Sequence, residues 1–314
     1  MISNKEKNFI SAVVYANNNE KEISGFLEDI HNTLGGIFNK FEIIVVNDAS
    51  VDNTVNEVKK FASKVESSVI SIINMSYYQG VELSMNAGVN LAIGDFVYEF
   101  DNVYKDYDNK VILDIYYQAL KGFDIVSASP RDNIKKSSKI FYKIFNKVSN
   151  MPYALNTESF RVLSRRAINR VQSISKTIPY RKALYSNSGL KLYNIIYDNN
   201  KLFKKKEDKA LHENRKEVAS DSLILFTDLA YRASIGMTII MMIIAIATGI
   251  YVVWTFLGNK RPIEGWTTTM LFLSGSFFAV FTILAVIIKY LSLIVNLIFK
   301  KQQYIIESIE KISH

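Results

Sequence analysis

The sequence predicts an α/β domain with a mostly parallel β-sheet, followed by a hairpin of two membrane-crossing helices. In the N-terminal part, short stretches rich in Val, Ile and Phe alternate with amphipathic helical stretches. This alternation is typical of βαβ units, whose strands run parallel. Near the C-terminus, two uncharged apolar stretches each exceed the length of about 20 residues that a helix needs to cross a bilayer.

The predicted strands are residues 9–15, 41–46, 69–73 and 96–100, and the predicted helices between them are residues 20–34, 51–65 and 80–92. Glycines stand at the ends of the first and third helices, where this residue is favoured. Ligands of parallel sheets bind at the carboxyl ends of the strands. Asp48 and Asp101 each follow such a strand, so both are candidate ligand-binding residues.

The two apolar stretches, residues 235–257 and 266–288, are joined by a short connector that contains one proline and two glycines. A pair of buried core helices is the alternative, but both stretches are apolar on every face, which favours the membrane. The predicted organisation is an α/β domain at residues 1–215, a juxtamembrane amphipathic segment at 216–234, the hairpin at 235–288 and an interfacial tail at 289–314.

A hairpin places the α/β domain and the tail on the same side of the membrane. The sequence shows no export signal, so we expect both of them in the cytoplasm. The expected location is therefore the inner (cytoplasmic) membrane, with a multi-pass anchor.

The composition excludes several kinds of site. The chain has no cysteine and three scattered histidines, which excludes disulfides, thiolate zinc sites and a histidine-based metal site. The net charge is +8, yet the basic residues form no compact stripe with interleaved aromatics, so no nucleic acid is expected. Many lysines lie in residues 201–216, where binding of anionic lipid or phosphate and a solvated charged helix are two open interpretations.

Polar motifs accompany the predicted strands in a defined order. They are VVYANNNEKE (13–22), VVNDASVDNT (45–54), QGVELSMNAGVNLAIGD (79–95), YEFDNVYKDYD (98–108) and ESFRVLSRRAINRV (158–171). Together with the C-terminal hairpin, this set resembles the family 2 glycosyltransferases of the GT-A fold. Most similar is the membrane-anchored polyprenyl-phosphate branch, with its dolichol-phosphate-mannose synthases and bactoprenol glucosyltransferases. The resemblance implies a Rossmann-like, mostly parallel sheet flanked by helices.

The resemblance also implies a nucleotide-sugar site in the first two motifs. The positions that match the family's nucleotide-binding residues are Ala16, Asn19, Glu20, Asp48 and Ser50, with Asp48 at the base. The implied donor is a UDP- or GDP-linked sugar. From the residues alone, a helix cap is the alternative, since Ser50 and Thr54 stand beside the start of the next helix.

A metal ion is the third implication of the resemblance. The family holds Mg²⁺ or Mn²⁺ with an Asp-x-Asp motif, and hard cations prefer such oxygen ligands. This chain has Asp101 at the first position and Val103 at the second, and valine offers no ligand. Asp106 or Asp108 of the same loop is the candidate replacement. The alternative is that these two are solvated loop acids.

The family's acceptor motif, Gly-Asp-Phe-Arg, corresponds here to Glu158-Ser159-Phe160-Arg161. The resemblance implies catalytic roles for Asp101, Ser159 and Arg161, although Ser159 stands where the family has Asp. It further implies a polyprenyl phosphate acceptor, whose head group would bind Arg161, Lys204 and Lys205. A homo-oligomer is expected as well.

Two functions are compatible with these observations. The first is a membrane-anchored glycosyltransferase that moves a sugar from a nucleotide-sugar donor to polyprenyl phosphate, for the synthesis or modification of a cell-envelope glycan. The second is a catalytically degenerate relative that serves as a membrane-bound partner or scaffold, because Val103 and Ser159 replace family aspartates. We expect the enzyme. Binding of metal and nucleotide distinguishes the two functions.

Overall fold

The computed structural model of the chain describes residues 5–65, 69–132, 136–149, 151–174, 180–199, 265–299 and 304–312, together with scattered positions between 236 and 254. The predicted juxtamembrane segment at 216–234, most of the connector of the hairpin, and Lys204 and Lys205 lie outside the described residues.

The strands are β1 (Ile10–Ala16), β2 (Phe41–Asn47), β3 (Val69–Met75), β4 (Phe96–Phe100), β5 (Ile125–Pro130), β6 (Phe160–Ser164), β7 (Leu192–Tyr197) and β8 (Ile306–Ile312). The helices are α1 (Ile23–Ile37), α2 (Thr54–Ala62), α3 (Val81–Leu91), α4 (Asn109–Leu120), α5 (Lys136–Val148), α6 (Arg165–Ile174), α7 (Arg181–Ser186) and α8 (Trp266–Phe299). The four predicted strands and the three predicted helices are all present, with bounds that shift by a few residues.

The strands form one mixed sheet in the order β7-β5-β6-β4-β1-β2-β3-β8. The pairs β1/β2, β1/β4, β2/β3 and β5/β7 are parallel, whereas β4/β6, β5/β6 and β3/β8 are antiparallel. Every residue of β1 and β2 is buried, which explains why these central strands are almost continuously apolar. The predicted α/β fold with a mostly parallel sheet is thereby confirmed.

Helix α3 packs unusually close to the centre of the sheet because of one glycine. A Cβ atom on Gly88 would lie 2.3 Å from Cγ1 of Val13 and 2.7 Å from Cγ2 of Val46. Such distances are far inside van der Waals contact, so only glycine permits this approach. The close packing brings the first turn of α3 to the carboxyl ends of β1 and β2.

The C-terminal tail differs from the prediction. Residues 289–314 were expected to prolong the second apolar helix or to lie along a membrane interface; α8 extends to Phe299, and β8 pairs with the outer edge of β3. Asn74 of β3 donates to Ser308 and Glu310 of β8, each over 3.0 Å. The reason is the alternating pattern of IESIEKI, which suits a strand, together with the unpaired N–H and C=O groups that an edge such as that of β3 presents.

The described residues divide into two compact units, one with the whole sheet including β8 and one with α8. Among the described residues, no helix combines the length and the hydropathy that crossing a membrane requires. The transmembrane hairpin therefore stays a prediction from the sequence.

Candidate active site

The loops that follow β1 and β2, residues 17–22 and 48–53, are joined by hydrogen bonds and are called the paired loops below. The N–H of Asn18 donates to Oγ of Ser50 over 3.0 Å, and the N–H of Val51 donates back to Oδ1 of Asn18 over 2.9 Å. The N–H of Asn19 donates to Oγ1 of Thr54 over 2.7 Å. These bonds use side chains to satisfy backbone groups that no strand or helix satisfies.

A second reciprocal pair closes the paired loops. The N–H of Glu20 donates to the carboxylate of Asp52, and the carboxylate of Glu20 accepts the N–H of Asn53, both over 3.1 Å. Asp52 also accepts the N–H of Thr54, the first residue of α2, over 3.0 Å. Burial raises the pKa of Asp52, but the hydrogen bonds from Thr54 and Glu20 outweigh it and hold this pKa below its usual value. The start of α2 is thus stabilised by Asp52, and Ser50 bonds the neighbouring loop instead.

Two residues of the paired loops adopt the left-handed region that favours glycine. Asn18 and Ala49 both have a φ of +52°. For alanine this conformation costs about 1 kcal/mol or more, so the surrounding hydrogen bonds have to hold it. The backbone of the paired loops is therefore shaped by its bonds before any ligand arrives.

Asp48 lies under these loops with its carboxylate fully buried. The carboxylate accepts the N–H groups of Gln79 and Gly80, each over 2.8 Å, and the hydroxyl of Tyr15 over 2.9 Å. Burial raises the pKa of Asp48, and these hydrogen bonds offset part of that rise. The side chain thus stabilises the turn before α3. Its predicted contact with a nucleotide base stays a prediction.

The predicted nucleotide residues are brought together by the fold. Ala16, Asn19, Glu20, Asp48 and Ser50 all lie at the carboxyl ends of β1 and β2. Their polar side chains are largely engaged in bonds within the protein. A ligand would therefore meet a preformed surface.

A second polar region, the ion-pair cluster, consists of Glu82, Glu99, Asp101, Glu158, Arg161 and Arg181. Arg161 of β6 is 1% exposed and contacts three carboxylates. Its Nη1 donates to Glu99 over 2.7 Å, its Nη2 to Asp101 over 2.9 Å and its Nε to Glu158 over 3.0 Å. Arg161 was predicted to bind a lipid phosphate and to take part in catalysis. Its guanidinium is engaged with these three carboxylates, and its predicted roles in lipid-phosphate binding and catalysis stay predictions.

Arg181, the first residue of α7, contacts two of these carboxylates, Glu99 and Asp101, and is as buried as Arg161. Its Nη2 donates to Asp101 over 2.7 Å and its Nε to Glu82 over 3.1 Å. Its Nη1 lies 2.9 Å from an oxygen of Glu99, which also accepts the hydroxyl of Tyr185. Neither Arg181 nor its partners Glu82 and Glu99 were predicted as functional residues. A glutamate inside the apolar strand YEF was the available signal for Glu99.

Asp101 is held between the two guanidinium groups, with Oδ1 bonded to Arg181 and Oδ2 bonded to Arg161. Burial alone raises the pKa of Asp101, but the charges of both arginines outweigh burial and hold this pKa well below its usual value. The carboxylate is therefore ionised, and both of its oxygens are engaged.

The residues present do not fit the predicted Mg²⁺ or Mn²⁺. Asp101 has no oxygen free of a guanidinium, and Val103 is buried in the hydrophobic core. Asp106 accepts hydrogen bonds from Tyr197 and Asn199, and Asp108 caps α4 by accepting the N–H of Lys110 over 2.8 Å. Across the described part of the chain, no group of three or more His, Cys, Asp or Glu residues is arranged to hold a metal ion.

Ser159 is part of a hydroxyl chain rather than a free base. Its Oγ lies 2.5 Å from the hydroxyl of Tyr197, which donates to Asp106 over 2.7 Å. Burial raises the pKa of Tyr197 far above its usual value, so Tyr197 stays protonated. Ser159 is thus linked through Tyr197 to the carboxylate of Asp106, and its predicted catalytic role stays a prediction.

A cavity of about 100 Å³ opens beside the ion-pair cluster, between α7 and the strands β5, β6 and β7. This volume suits a few water molecules or a small polar group, since a water molecule occupies about 30 Å³ in the liquid. Its polar lining includes Ser127, Asn156, Glu158, Arg161, Lys182 and Tyr185.

The family model that matches this chain and the three relatives below are all described as glycosyltransferases. The model of the family described as glycosyl transferase family 2 matches residues 11–172. An uncharacterized glycosyltransferase of Synechocystis, sll0501, is 26% identical over 196 residues, and the match covers 60% of each chain. The putative glycosyltransferase CsbB of Bacillus subtilis is 25% identical over 283 residues, which are 86% of this chain and 83% of CsbB. A prophage bactoprenol glucosyl transferase homolog of Escherichia coli is 26% identical over 194 residues, or 60% of this chain and 62% of that protein.

One solved structure among the similar ones is the mannosyltransferase PcManGT from Pyrobaculum calidifontis in complex with GDP-Man and Mn²⁺. It is 15% identical, with a TM-score of 0.49, and the match covers 89% of this chain and 88% of that one.

Proposed function

The chain belongs to glycosyl transferase family 2, and we propose that it transfers a sugar from a UDP- or GDP-linked donor to a polyprenyl phosphate. The family membership supports the nucleotide-sugar donor. Relatives named bactoprenol glucosyl transferase, at 26% identity, support the lipid acceptor. The apolar stretches near the C-terminus support action at a membrane.

The observation that carries the proposal is the pair of bonded loops at the carboxyl ends of β1 and β2. In sheets with parallel strands, ligands bind outside the carboxyl ends of the strands. Here that edge is formed by two loops whose strained backbone is held by reciprocal bonds. A preformed surface loses little conformational entropy on binding, which favours affinity for a small polar ligand such as a nucleotide.

The proposed chemistry needs no strong base. An oxygen of the lipid phosphate attacks the anomeric carbon of the sugar, and the bond from that carbon to the diphosphate breaks. The nucleoside diphosphate leaves with the bonding electron pair. Because a polyprenyl phosphate is already ionised at neutral pH, no proton has to be removed from the nucleophile. The engagement of Ser159 with Tyr197 is compatible with such a reaction.

Transfer is tested with the full chain in lipid nanodiscs, polyprenyl phosphate and radiolabelled UDP- or GDP-sugars, and the extracted lipid is analysed for label. We expect a lipid-linked sugar that depends on both substrates. Absence of labelled lipid with every common donor, in a folded protein, would overturn the proposal and leave the degenerate partner as the function.

A variant of the paired loops sharpens this test. Glu20→Ala removes the bond to the N–H of Asn53, so the paired loops are less well ordered before binding and the KM for the donor should rise. Glu57→Ala is the matched control, because Glu57 pairs with Lys60 within α2 and is not part of the paired loops. An equal KM in both variants would contradict a donor site at the paired loops.

We also propose that the two apolar stretches anchor the protein in the cytoplasmic membrane with the α/β domain and the C-terminus inside. The chain has no cysteine, so a single one can be introduced at any position. A cysteine at Asn259 should react with an impermeant thiol reagent on intact cells, and one at Ser3 should not. The reverse labelling pattern would contradict this topology.

A further inference from the structure

The carboxylate of Asp101 is neutralised by the protein itself. Its two oxygens accept bonds of 2.7 Å from Arg181 and 2.9 Å from Arg161. Both guanidinium groups are 1% exposed, and Glu99 behind them is fully buried. The position that the resemblance assigned to a metal ligand therefore already faces two fixed positive charges.

We propose that Arg161 and Arg181 take the place of a divalent cation at Asp101, so that this chain binds its nucleotide sugar without a metal ion. The statement about nucleotide binding rests on the proposed function. The statement about Asp101 rests on the geometry of the ion-pair cluster alone.

The coordination chemistry of a divalent cation conflicts with this arrangement. Mg²⁺ binds carboxylate oxygens at about 2.0–2.1 Å and demands a near-octahedral set of ligands. A cation at that distance from Asp101 would lie next to two guanidinium groups that share the same oxygens. Repulsion between these charges is weakly screened in a buried site. The side chain at the second family position, Val103, supplies no ligand to compensate.

Displacement of the arginines by a cation is opposed by the number of their contacts. Arg181 bonds Glu82 through both its backbone N–H and its Nε, and Arg161 bonds Glu158 through Nε. Moving either arginine away would leave Glu99 and Asp101 each with one fewer positive partner, which is strongly unfavourable for the fully buried Glu99. The guanidinium groups are thus fixed residents of the site.

The cluster also reaches the paired loops, which gives Arg181 a positioning role. Glu82 lies in the first turn of α3, and the N–H of Gly80 just before that turn is held by Asp48. Arg181 therefore stabilises, through Glu82, the same turn that Asp48 stabilises from below. No metal bridge is required between the two regions.

The test uses the full chain in detergent and two independent measurements. Electron paramagnetic resonance follows the binding of Mn²⁺ in the absence of nucleotide and in its presence, and calorimetry follows UDP and GDP in EDTA and in Mn²⁺. We expect no Mn²⁺ bound at the protein and a nucleotide affinity that agrees within about twofold between EDTA and Mn²⁺. Stoichiometric Mn²⁺ binding to the wild type, or loss of nucleotide binding in EDTA, would overturn the proposal.

A variant tests the role of the arginine directly. Arg181→Met should free Oδ1 of Asp101 and remove one of the two charges that repel a cation, so that Mn²⁺ binds in the variant and not in the wild type. Arg131→Met is the matched control, because Arg131 pairs with Asp198 at the exposed surface and should gain no Mn²⁺. A folded Arg181→Met protein without a new Mn²⁺ site overturns the assignment. If Arg181→Met does not fold, the Mn²⁺ and nucleotide titrations of the wild type test the proposal on their own.

Failure of the proposed function gives a different result. If neither UDP nor GDP binds in EDTA or in Mn²⁺, the nucleotide-sugar proposal is wrong. The Mn²⁺ titrations of the wild type and Arg181→Met still decide whether arginines occupy the metal position.

Discussion

The paired loops and the ion-pair cluster lie on the same sheet but are stabilised by different forces. In the paired loops, side chains bond backbone N–H groups, and most partners are neutral or partly exposed. In the ion-pair cluster, charged side chains contact one another in a buried site. The loops are therefore stabilised by many modest bonds. The cluster depends on complete neutralisation, since a single missing partner leaves a buried charge.

The largest expected effect is the loss of an arginine from the cluster. Arg161→Met leaves Glu99, Asp101 and Glu158 short of a partner and should lower the free energy of unfolding by about 3–5 kcal/mol. Arg131→Met, which breaks an exposed pair, should cost about 0–1 kcal/mol. Denaturation followed by circular dichroism measures both. Equal losses in the two variants would contradict the difference between buried and exposed pairs.

A carboxylate at Val103 should be nearly as damaging. The sequence presents Val103→Asp as a restored metal ligand, but Val103 is 3% exposed and packs in the core. An unpaired carboxylate there should lower the free energy of unfolding by about 3 kcal/mol and add no metal binding. Val51→Asp is the matched control, because Val51 is 92% exposed at the tip of a paired loop. Tighter Mn²⁺ binding in Val103→Asp would refute this account.

Removal of Asp48 should have a smaller effect. Asp48→Ala leaves the N–H groups of Gln79 and Gly80 without their acceptor and should destabilise the fold by about 1–3 kcal/mol. Asp48→Asn retains one acceptor oxygen and should lose less. An Asp48→Ala protein with the stability of the wild type would show that water replaces the carboxylate.

Lowering the pH should change the stability contributions of the two regions in opposite directions. The pKa of Asp101 is lowered by folding, so its stabilising contribution is complete above the unfolded pKa of about 3.9 and is lost as the pH falls below that value. The pKa of Asp48 is raised by burial, so its ionised form is penalised and acid relieves that penalty. As the pH falls from about 5 to 3, stability should decline less steeply in Asp101→Asn than in the wild type, and more steeply in Asp48→Asn. Parallel profiles would contradict the opposite shifts.

The sequence predicted the paired loops better than the ion-pair cluster, for a physical reason. Apart from Gln79 and Gly80, which bond Asp48, the partners in the paired loops lie in two short motifs next to predictable strands, so their proximity follows from a parallel sheet. The partners of Arg181 come from α3, from β4 and from Asp101 just after β4, all of them 80 or more residues away along the chain. No local pattern indicates such pairs. Likewise, Val103 was recognised as a missing ligand, and only the packing shows it as a core residue.

The strand at the edge of the sheet, β8, was also not predicted, because its partner is distant along the chain. Strands β1 to β4 are apolar runs between helices, which local patterns predict. Strand β8 follows the apolar helix α8 and pairs with β3, whose residues are more than 200 positions earlier. Its alternating pattern IESIEKI suits a strand with one solvated face, but no local signal indicates that it pairs with β3. The pairing of residues 306–312 with β3 was therefore not predicted.

The central claim is that a nucleotide binds the paired loops, and hydrogen exchange tests it most directly. Backbone exchange is measured by mass spectrometry on the full chain, with and without UDP or GDP. The account predicts slower exchange in peptides that cover the paired loops, at Asn18, Asn19 and Val51, when one of the two nucleotides is added. Peptides of the second half of α4, where Tyr116 accepts a hydrogen bond from Asn8 just before β1, should be unchanged, because this end of the sheet is remote from the paired loops. Protection confined to other elements, with the paired loops unaffected by either nucleotide, would contradict the claim.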